Sequence, residues 1–279
     1  MLDQLPDIQI IATDSIIHHE QHDNQRTPPL VEKLRASGIM RNPVLVTPLQ
    51  DGSDRYMVMD GANRVMAFQL MGTPHVLTQV VAPDSGSVEL KTWNHVLWNA
   101  NPEELLADLE ALPGINLLTI PDDDAGLRQL RNHEILVWIQ TPDQCTHAVF
   151  CETGDLVHML NGLNAIVDTY KHKAHMDRTR IRKISALANL YENLCAVIVF
   201  PPFTIRQVLE LAGKGHLFPS GITRFTVAPR ALRIEYPLSE LESNDSLEAK
   251  NQRLQAWIQE RVTSKGVRFY AEPTVLFDE

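Results

Sequence analysis

RYMVMDGANRVMAFQLMG, residues 55–72, decides how the rest of the chain is read. Met57, Val58 and Met59 make a short strand, Asp60-Gly61 a tight turn, and a helix opens at Ala62 or Asn63. Val65, Met66, Phe68, Leu70 and Met71 give that helix a broad apolar surface. A glycine turn running straight into a helix aims several unbonded N–H groups, and the positive end of the helix dipole, at one point. Such a point suits an anion, phosphate above all. Arg64, in the first turn, can reach back to the same point as a bidentate clamp. The Asp60 carboxylate would repel a bare phosphate, and makes sense where a metal ion or a hydroxyl group shares the site. Taken alone, the same residues also make a plain strand-to-helix corner with a solvated Asp and Arg.

The bulk composition narrows the partners. With 279 residues, 44% hydrophobic and 22% charged, the chain can bury a sizeable core as one large domain or two. A net charge of −10 makes the surface as a whole repel nucleic acid. The densest basic run, KHKAHMDRTRIRK at 171–183, reads as the exposed face of a helix. Cys145, Cys151 and Cys195 are widely spaced without a Cys-x-x-Cys pair, against a disulfide framework or a structural zinc site. No run of about eighteen apolar residues and no basic-then-apolar start is present. A cytosolic protein without membrane attachment is expected.

Outward from the opening stretch, the elements follow local signals. Residues 8–12 read as a strand. IIHHEQHDNQR, 16–26, crowds His18, His19, Glu20, His22 and Asp23 into six positions. His18 and His22 stand at the His-x-x-x-His spacing, but the run is loop-like and not helical, so the histidines read as a polar loop. Thr27-Pro28-Pro29 is a hydroxyl cap with proline at the first helical position, and Leu30, Val31 and Leu34 form the face of the helix it opens. Strands follow at 44–46 and 76–81, with an Asp-Gly hairpin turn in QDGSDR, 50–55. In KTWNHVLWN, Trp93 and Trp98 read as core or a buried rim. Farther on, helices are expected at 102–112, 155–170 and 175–194, and strands at 134–140, 148–151 and 196–200. Thr204-x-x-Gln207 is a capping box for a helix closed by Gly213 and Gly215. Ser220, Thr223 and Arg224 fall in a Pro/Gly loop before a strand, a hydroxyl cluster with an arginine that can receive carboxylate or phosphate oxygens. A last helix from residue 246 and a strand at 267–270 are assigned to packing a second lobe.

The order helix, G-I-x-x-N-P-V-L-V, hairpin, V-M-D-G-x-x-R, helix, strand resembles the ParB/sulfiredoxin superfamily. ParB-type members usually carry a Gly-Glu-Arg-Arg box at the turn, and sulfiredoxins Gly-Gly-Cys-His-Arg. Asp60-Gly61-Ala62-Asn63-Arg64 is nearer the Asp-Gly-His-His-Arg box of the free L-serine kinase branch, with Ala62 and Asn63 in place of the two histidines. The loop at 219–224 is similar to the late Pro-x-x-x-Thr-Arg-His loop of that branch. Thr223 and Arg224 match, whereas Gly221 stands where the archaeal enzymes have lysine and Phe225 where they have histidine. The resemblance implies an α/β (α+β) fold: a ParB/sulfiredoxin-like nucleotide-binding domain over 1–85, and a second mixed α/β lobe over 86–279 that contributes the substrate loop.

The resemblance also implies a reaction: transfer of phosphate from ATP or ADP, with Mg²⁺, to the hydroxyl of free L-serine, giving O-phosphoserine. Such a kinase needs a base, a metal-bound nucleotide and positive charge on the transferred group. Glu20 lies in the loop where these kinases keep their catalytic glutamate, and is the candidate general base, with Asp23 its rival. Asp60 is the candidate to orient the hydroxyl or bind Mg²⁺. Gly61, Ala62, Asn63 and Arg64 would cradle the phosphates, and Trp93, Thr223 and Arg224 would position the amino acid. The alternatives are a ParB-like nucleotide-dependent DNA-binding or nuclease-like protein, opposed by the net charge and the lack of a clear helix-turn-helix, and a non-catalytic ligand-binding member.

Overall fold

The computed structural model describes residues 5–21, 27–120, 123–151 and 154–270. The first half of the chain runs β1 (Asp7–Ala12), β2 (Ile16–Ile17), α1 (Thr27–Ser37), β3 (Ile39–Met40), β4 (Val44–Pro48), β5 (Tyr56–Asp60), α2 (Ala62–Met71), β6 (His75–Val80), β7 (Val88–Thr92), β8 (Asn94–Trp98) and α3 (Pro102–Glu110). It continues with β9 (Ile115–Ile120), α4 (Asp123–Arg131), β10 (Val137–Gln140), β11 (Thr146–Cys151), α5 (Leu156–Tyr170), β12 (His175–Thr179) and β13 (Leu194–Val199). The chain closes with α6 (Ile205–Gly213), β14 (Thr223–Val227), β15 (Tyr236–Pro237), α7 (Leu238–Glu242) and α8 (Leu247–Thr263).

The first sheet has five strands in the order β1-β6-β4-β5-β2. It is mixed: β4 runs antiparallel to β5 through the hairpin and parallel to β6 across α2. The Asp51 side chain accepts from Ser53 N at 3.0 Å, which closes the Asp-Gly turn as its residues predict. Strand periodicity assigns the two faces. Val44, Val46 and Val58 pack into a core with α1, α2 and α8, while Leu45, Met57 and Met59 point the other way. That second face shares one buried cluster with α6 and with residues of the second sheet. In α2 the buried side chains are Val65, Ala67 and Phe68. Leu70, expected on the apolar face, is 63% exposed, so the face is narrower than the residues suggest.

The second sheet has six strands, β12-β8-β13-β10-β11-β9, all antiparallel. Its inner strands are buried on both sides: Val96, Val197 and Trp138 face one cluster, Leu97, Ile198 and Ile139 the other. Helix α5 covers the latter with Met159, Leu160, Leu163, Ile166, Val167 and Tyr170, a helical stripe. The capping box before α6 forms as expected, with Thr204 N donating to Gln207 Oε1 at 2.8 Å and Gln207 N to Thr204 Oγ1 at 3.2 Å.

Several expectations are corrected. Residues 175–194 are not helical. His175–Thr179 form the edge strand β12, paired with β8, and the chain then turns through a short 3-10 segment, Ile184–Ala186. Charged and polar side chains on an exposed edge replace the helical apolar stripe that the segment lacks. The basic run 171–183 therefore lies on a turn, a sheet edge and a loop rather than on a helix face. A strand at 115–120, β9, is present where none was expected. Residues 267–270 form no strand. Thr27 sits inside α1 rather than capping it, and its buried hydroxyl has no hydrogen-bond partner among the described residues. Helix α8 does not pack on the second lobe. It returns to the first sheet, where the Asn251 side chain accepts from Ile10 N at 2.9 Å and donates to Ile10 O at 2.8 Å, and where Leu254 is buried. No helix among the described residues is long and apolar enough to cross a membrane.

Candidate active site

The Asp-Gly turn is built by three side chains. Asp60 ends β5, and Gly61 follows with φ 99° and ψ 25°, a left-handed conformation that lets the chain reverse into α2. No side chain caps α2, and Arg64 N donates to the Gly61 carbonyl at 2.8 Å, which leaves the N–H groups of Ala62 and Asn63 without a helical partner. Arg64 folds back over Gly61. A Cβ at position 61 would lie 2.8 Å from Arg64 Nη2, so only glycine leaves room for the guanidinium. Arg64 Nη1 donates to the carbonyls of Asn42 at 2.7 Å and Pro43 at 2.8 Å, while its other end lies 3.4 Å from Asp60 Oδ2. Arg64 thereby ties the turn to the start of β4. The tight charged contact to Asp60 Oδ2 comes from Arg230, in the loop after β14.

Glu20 lies across two segments that are laced together at the backbone. Phe218 N donates to His19 O at 2.7 Å and Gln21 N to Phe218 O at 2.8 Å, a one-residue parallel bridge centred on Glu20. This bridge holds the Glu20 carboxylate against the loop at 221–223. Oε2 accepts from Gly221 N at 2.9 Å, and Oε1 accepts from Thr223 N at 2.7 Å and from Thr223 Oγ1 at 2.5 Å. Glu20 and Thr223 therefore meet directly, although 203 residues separate them.

His19, expected as a polar loop residue, is buried and joins this cluster to the Asp-Gly strand. Its Nδ1 donates to the Val58 carbonyl at 2.6 Å, and its Nε2 lies 2.7 Å from Thr223 Oγ1. Burial pushes its pKa down, while the Glu20 charge and the Val58 carbonyl pull it back up. His22 and Asp23 lie outside the described residues.

A third group surrounds Gly221. Thr223 and Arg224 are not in a loop but open β14, which pairs with β7. Trp93 follows β7, donates its backbone N–H to Ile222 O at 2.9 Å, and carries the Arg224 guanidinium over its ring at 4.9 Å. His95, fully buried on β8, reaches the same loop: Nε2 donates to Gly221 O at 3.3 Å and Nδ1 accepts from the Tyr170 hydroxyl at 2.8 Å. Desolvation lowers its pKa to about 4, so it stands as the neutral ring. Arg178, on the edge strand β12, lies against Gly221, whose φ is 80°; a Cβ there would collide with Arg178 Nε. Among the described residues Arg178 makes no hydrogen bond or ion pair.

His19, His95, Arg178 and Arg230 contact the expected residues and were not themselves expected there. Arg178 had a signal, the basic run 171–183, but its placement as a helix face hid its direction. Buried His19 and Arg230 reach the site through pairings across much of the chain, which no local pattern encodes. Two shallow depressions lie elsewhere, around Asn99–Leu106 and Thr141–Asp143 and around Ser185–Leu194, and are lined by no buried charged group.

No protein-family model matches the chain. It is 23% identical over 273 residues to the ATP-dependent L-serine kinase SbnI of Staphylococcus aureus, covering 98% of this chain and 97% of that protein. An ATP-dependent L-serine kinase of Staphylothermus marinus is 34% identical over 84 residues, 30% of this chain and 33% of that one. Among solved structures, C-terminally truncated SbnI superposes with a TM-score of 0.71 at 20% identity, over 91% of this chain and 97% of that chain. A free serine kinase in complex with AMP superposes with a TM-score of 0.70 at 19% identity, over 85% and 94%. Over nearly its whole length, in sequence and in fold, the chain is similar to the free serine kinases, and the resemblance first read from Asp60-Gly61-Ala62-Asn63-Arg64 holds.

Proposed function

We propose that this protein is a small-molecule kinase that transfers the terminal phosphate of ATP to the hydroxyl of free L-serine, giving O-phosphoserine. The observation that carries the reading is the Glu20 carboxylate, fixed by Gly221 and Thr223 and coupled through His19 to the strand that ends in the Asp-Gly turn. The names of the full-length and partial relatives favour ATP over ADP as donor and L-serine as acceptor.

In this reading Glu20 takes the hydroxyl proton of the acceptor as the new O–P bond forms. A positioned base of this kind contributes about 10²–10⁴-fold in rate. The N–H groups of Gly61, Ala62 and Asn63 donate to phosphate oxygens at the start of α2, with Arg230 as the positive charge beside them. Arg64 shapes the cradle from behind through Asn42 and Pro43. Trp93, Thr223, Arg224 and Arg178 surround the acceptor, the arginines answering its carboxylate. The dominant contribution is placement of two reactants in line.

The metal question turns on the donor set. No group of three or more His, Cys, Asp or Glu side chains that could hold a metal occurs among the described residues. Asp60 offers one carboxylate, engaged by Arg230 through Oδ2. These residues fit a Mg²⁺ carried mainly by the nucleotide's phosphates, with Asp60 as the protein ligand. Bound so, Mg²⁺ would shield the phosphate charge. The test is phosphorus NMR of ATP with L-serine, D-serine or L-threonine. O-phosphoserine formation from L-serine is expected, and ATP left intact with every acceptor contradicts the reading.

A further inference from the structure

Strand β6 runs between β1 and β4 and buries Val76, Leu77, Thr78 and Gln79 in succession. A glutamine only 2% exposed is costly at such a place unless both ends of its amide are bonded. Both are, and to one short stretch of chain. Gln79 Nε2 donates to Pro229 O at 2.8 Å, and Gln79 Oε1 accepts from Ala231 N at 2.9 Å. A carbonyl only accepts and a backbone N–H only donates, so a single orientation of the amide serves both. The two peptide groups so gripped meet at Arg230, whose guanidinium closes on Asp60 at the Asp-Gly turn.

The stretch around Arg230 has left its own sheet. Strand β14 ends at Val227, and Ala228 N still donates to Ser87 O at 3.0 Å, beside the start of β7. Past the arginine, Arg233 N donates to the Asn42 side chain at 2.8 Å. Between these two points the first sheet holds the chain through Gln79. We propose that Gln79 is a positioning residue for the phosphate site: by gripping the peptide groups on either side of Arg230, it holds the root of that side chain where the guanidinium can pass from Asp60 to the phosphate oxygens of ATP. This rests on the kinase reading. In this role Gln79 acts through Arg230 and does not touch substrate.

What the clasp supplies is preorganisation. A guanidinium on a loose loop loses backbone and side-chain freedom when it binds phosphate, whereas one on a pinned backbone loses only its rotamers. Arg230 and Asp60 are both partly exposed, so their contact by itself holds the loop weakly. It is also the contact that phosphate has to replace. The grip of Gln79 is buried and stands apart from that exchange. Asn42 joins the loop to the turn: its side chain holds Arg233 N, and its carbonyl accepts from Arg64 Nη1. The loop that carries Arg230 and the turn it serves are thus fixed to the same sheet.

The test is a double-mutant cycle on Gln79→Met and Arg230→Met. It is read as affinity for a non-hydrolysable ATP analogue with Mg²⁺, by calorimetry, and as KM for ATP and for L-serine. Methionine matches glutamine in length and packs well in a buried strand, but it can neither donate to Pro229 O nor accept from Ala231 N. Gln79→Met is expected to weaken analogue binding and raise KM for ATP by about 3- to 10-fold, with kcat and KM for L-serine near wild-type values. In the Arg230→Met background the same substitution should change neither, because no guanidinium is left to place. Equal losses in both backgrounds, or a rise in both KM values together, would mean that Gln79 only stabilises the fold, and overturn the proposal. An analogue affinity untouched by Gln79→Met or by Arg230→Met overturns it as well. Thermal unfolding sets the temperature at which all four proteins are folded. A wild type that binds the analogue but makes no phosphoserine sinks the kinase reading alone, and the analogue affinities still judge the clasp.

Discussion

The Arg230 guanidinium closes on Asp60 Oδ2 across 170 residues of chain, and it is the tight charged contact at the mouth of the Asp-Gly turn. Arg64, the arginine that the turn's own sequence offers, points its Nη1 into the protein instead. The division of labour is physical. An arginine bonded to two carbonyls at 2.7 and 2.8 Å is held in place, whereas Arg230 sits on a partly exposed carboxylate that phosphate oxygens can replace. Arg230→Met is expected to raise KM for ATP about tenfold, close to 1.4 kcal/mol, with Arg230→Lys intermediate. Initial rates against ATP concentration check it, and an unchanged KM removes Arg230 from the nucleotide site.

Gly61→Ala tests the brace. The alanine would adopt φ near 99°, and its Cβ would meet Arg64 Nη2 at 2.8 Å. Backbone strain of about 1–3 kcal/mol and displacement of Arg64 from Asn42 and Pro43 are expected together. Chemical denaturation should show the loss of stability, and calorimetry a weakened nucleotide affinity.

Arg178 and Gly221 form the corresponding pair at the acceptor end. Arg178→Met is expected to raise KM for L-serine about tenfold while leaving kcat near the wild-type value, because a carboxylate contact is made equally in ground and transition states. Gly221→Ala should raise KM for L-serine by displacing Arg178 and should lower kcat as well, because an alanine at φ 80° strains the loop whose N–H holds Glu20. Serine amide, which lacks the carboxylate, should distinguish wild type from Arg178→Met far less than serine does. Equal effects on both acceptors would contradict the assignment.

How much of this was legible in the sequence depends on how local each signal is. Met57 to Arg64 could be read directly, because alternation, a glycine and a helix start are all encoded within eight positions. The Asp51-Gly52 hairpin and the Thr204–Gln207 box were legible for the same reason. The edge strand at His175–Thr179 was not. Its fate depends on β8 offering a partner, and its own residues are as polar as a solvent-facing helix. Glu20 entered through family resemblance alone. What holds it, a single bridge to Phe218 and the donors of Gly221 and Thr223, lies some 200 residues away in sequence. Helix α8 was legible as a helix, but its own residues do not say which sheet it covers.

Stability should fall in mild acid because of His95. Its folded pKa is depressed to about 4 from the ordinary 6.5, so the unfolded chain binds a proton that the folded chain refuses between those values. The contribution is complete above pH 6.5 and is lost as pH falls toward 4, by up to ~3 kcal/mol. Urea unfolding at pH 7 and pH 4.5 measures it. His95→Gln should be less stable at pH 7 and should lose less stability on acidification than wild type does; equal losses would contradict this account.

The central claim is that Glu20 is the base of a serine kinase, and one comparison tests it most directly. Purified wild type and Glu20→Gln are incubated with ATP, Mg²⁺ and L-serine, and O-phosphoserine is quantified over time. Glutamine is nearly the same size as glutamate but accepts no proton, so the fold should persist while product formation falls by about 10²–10⁴. Phosphoserine from the wild type with that loss is the predicted result. Phosphoserine made by Glu20→Gln at the wild-type rate, or by neither protein, would contradict the account.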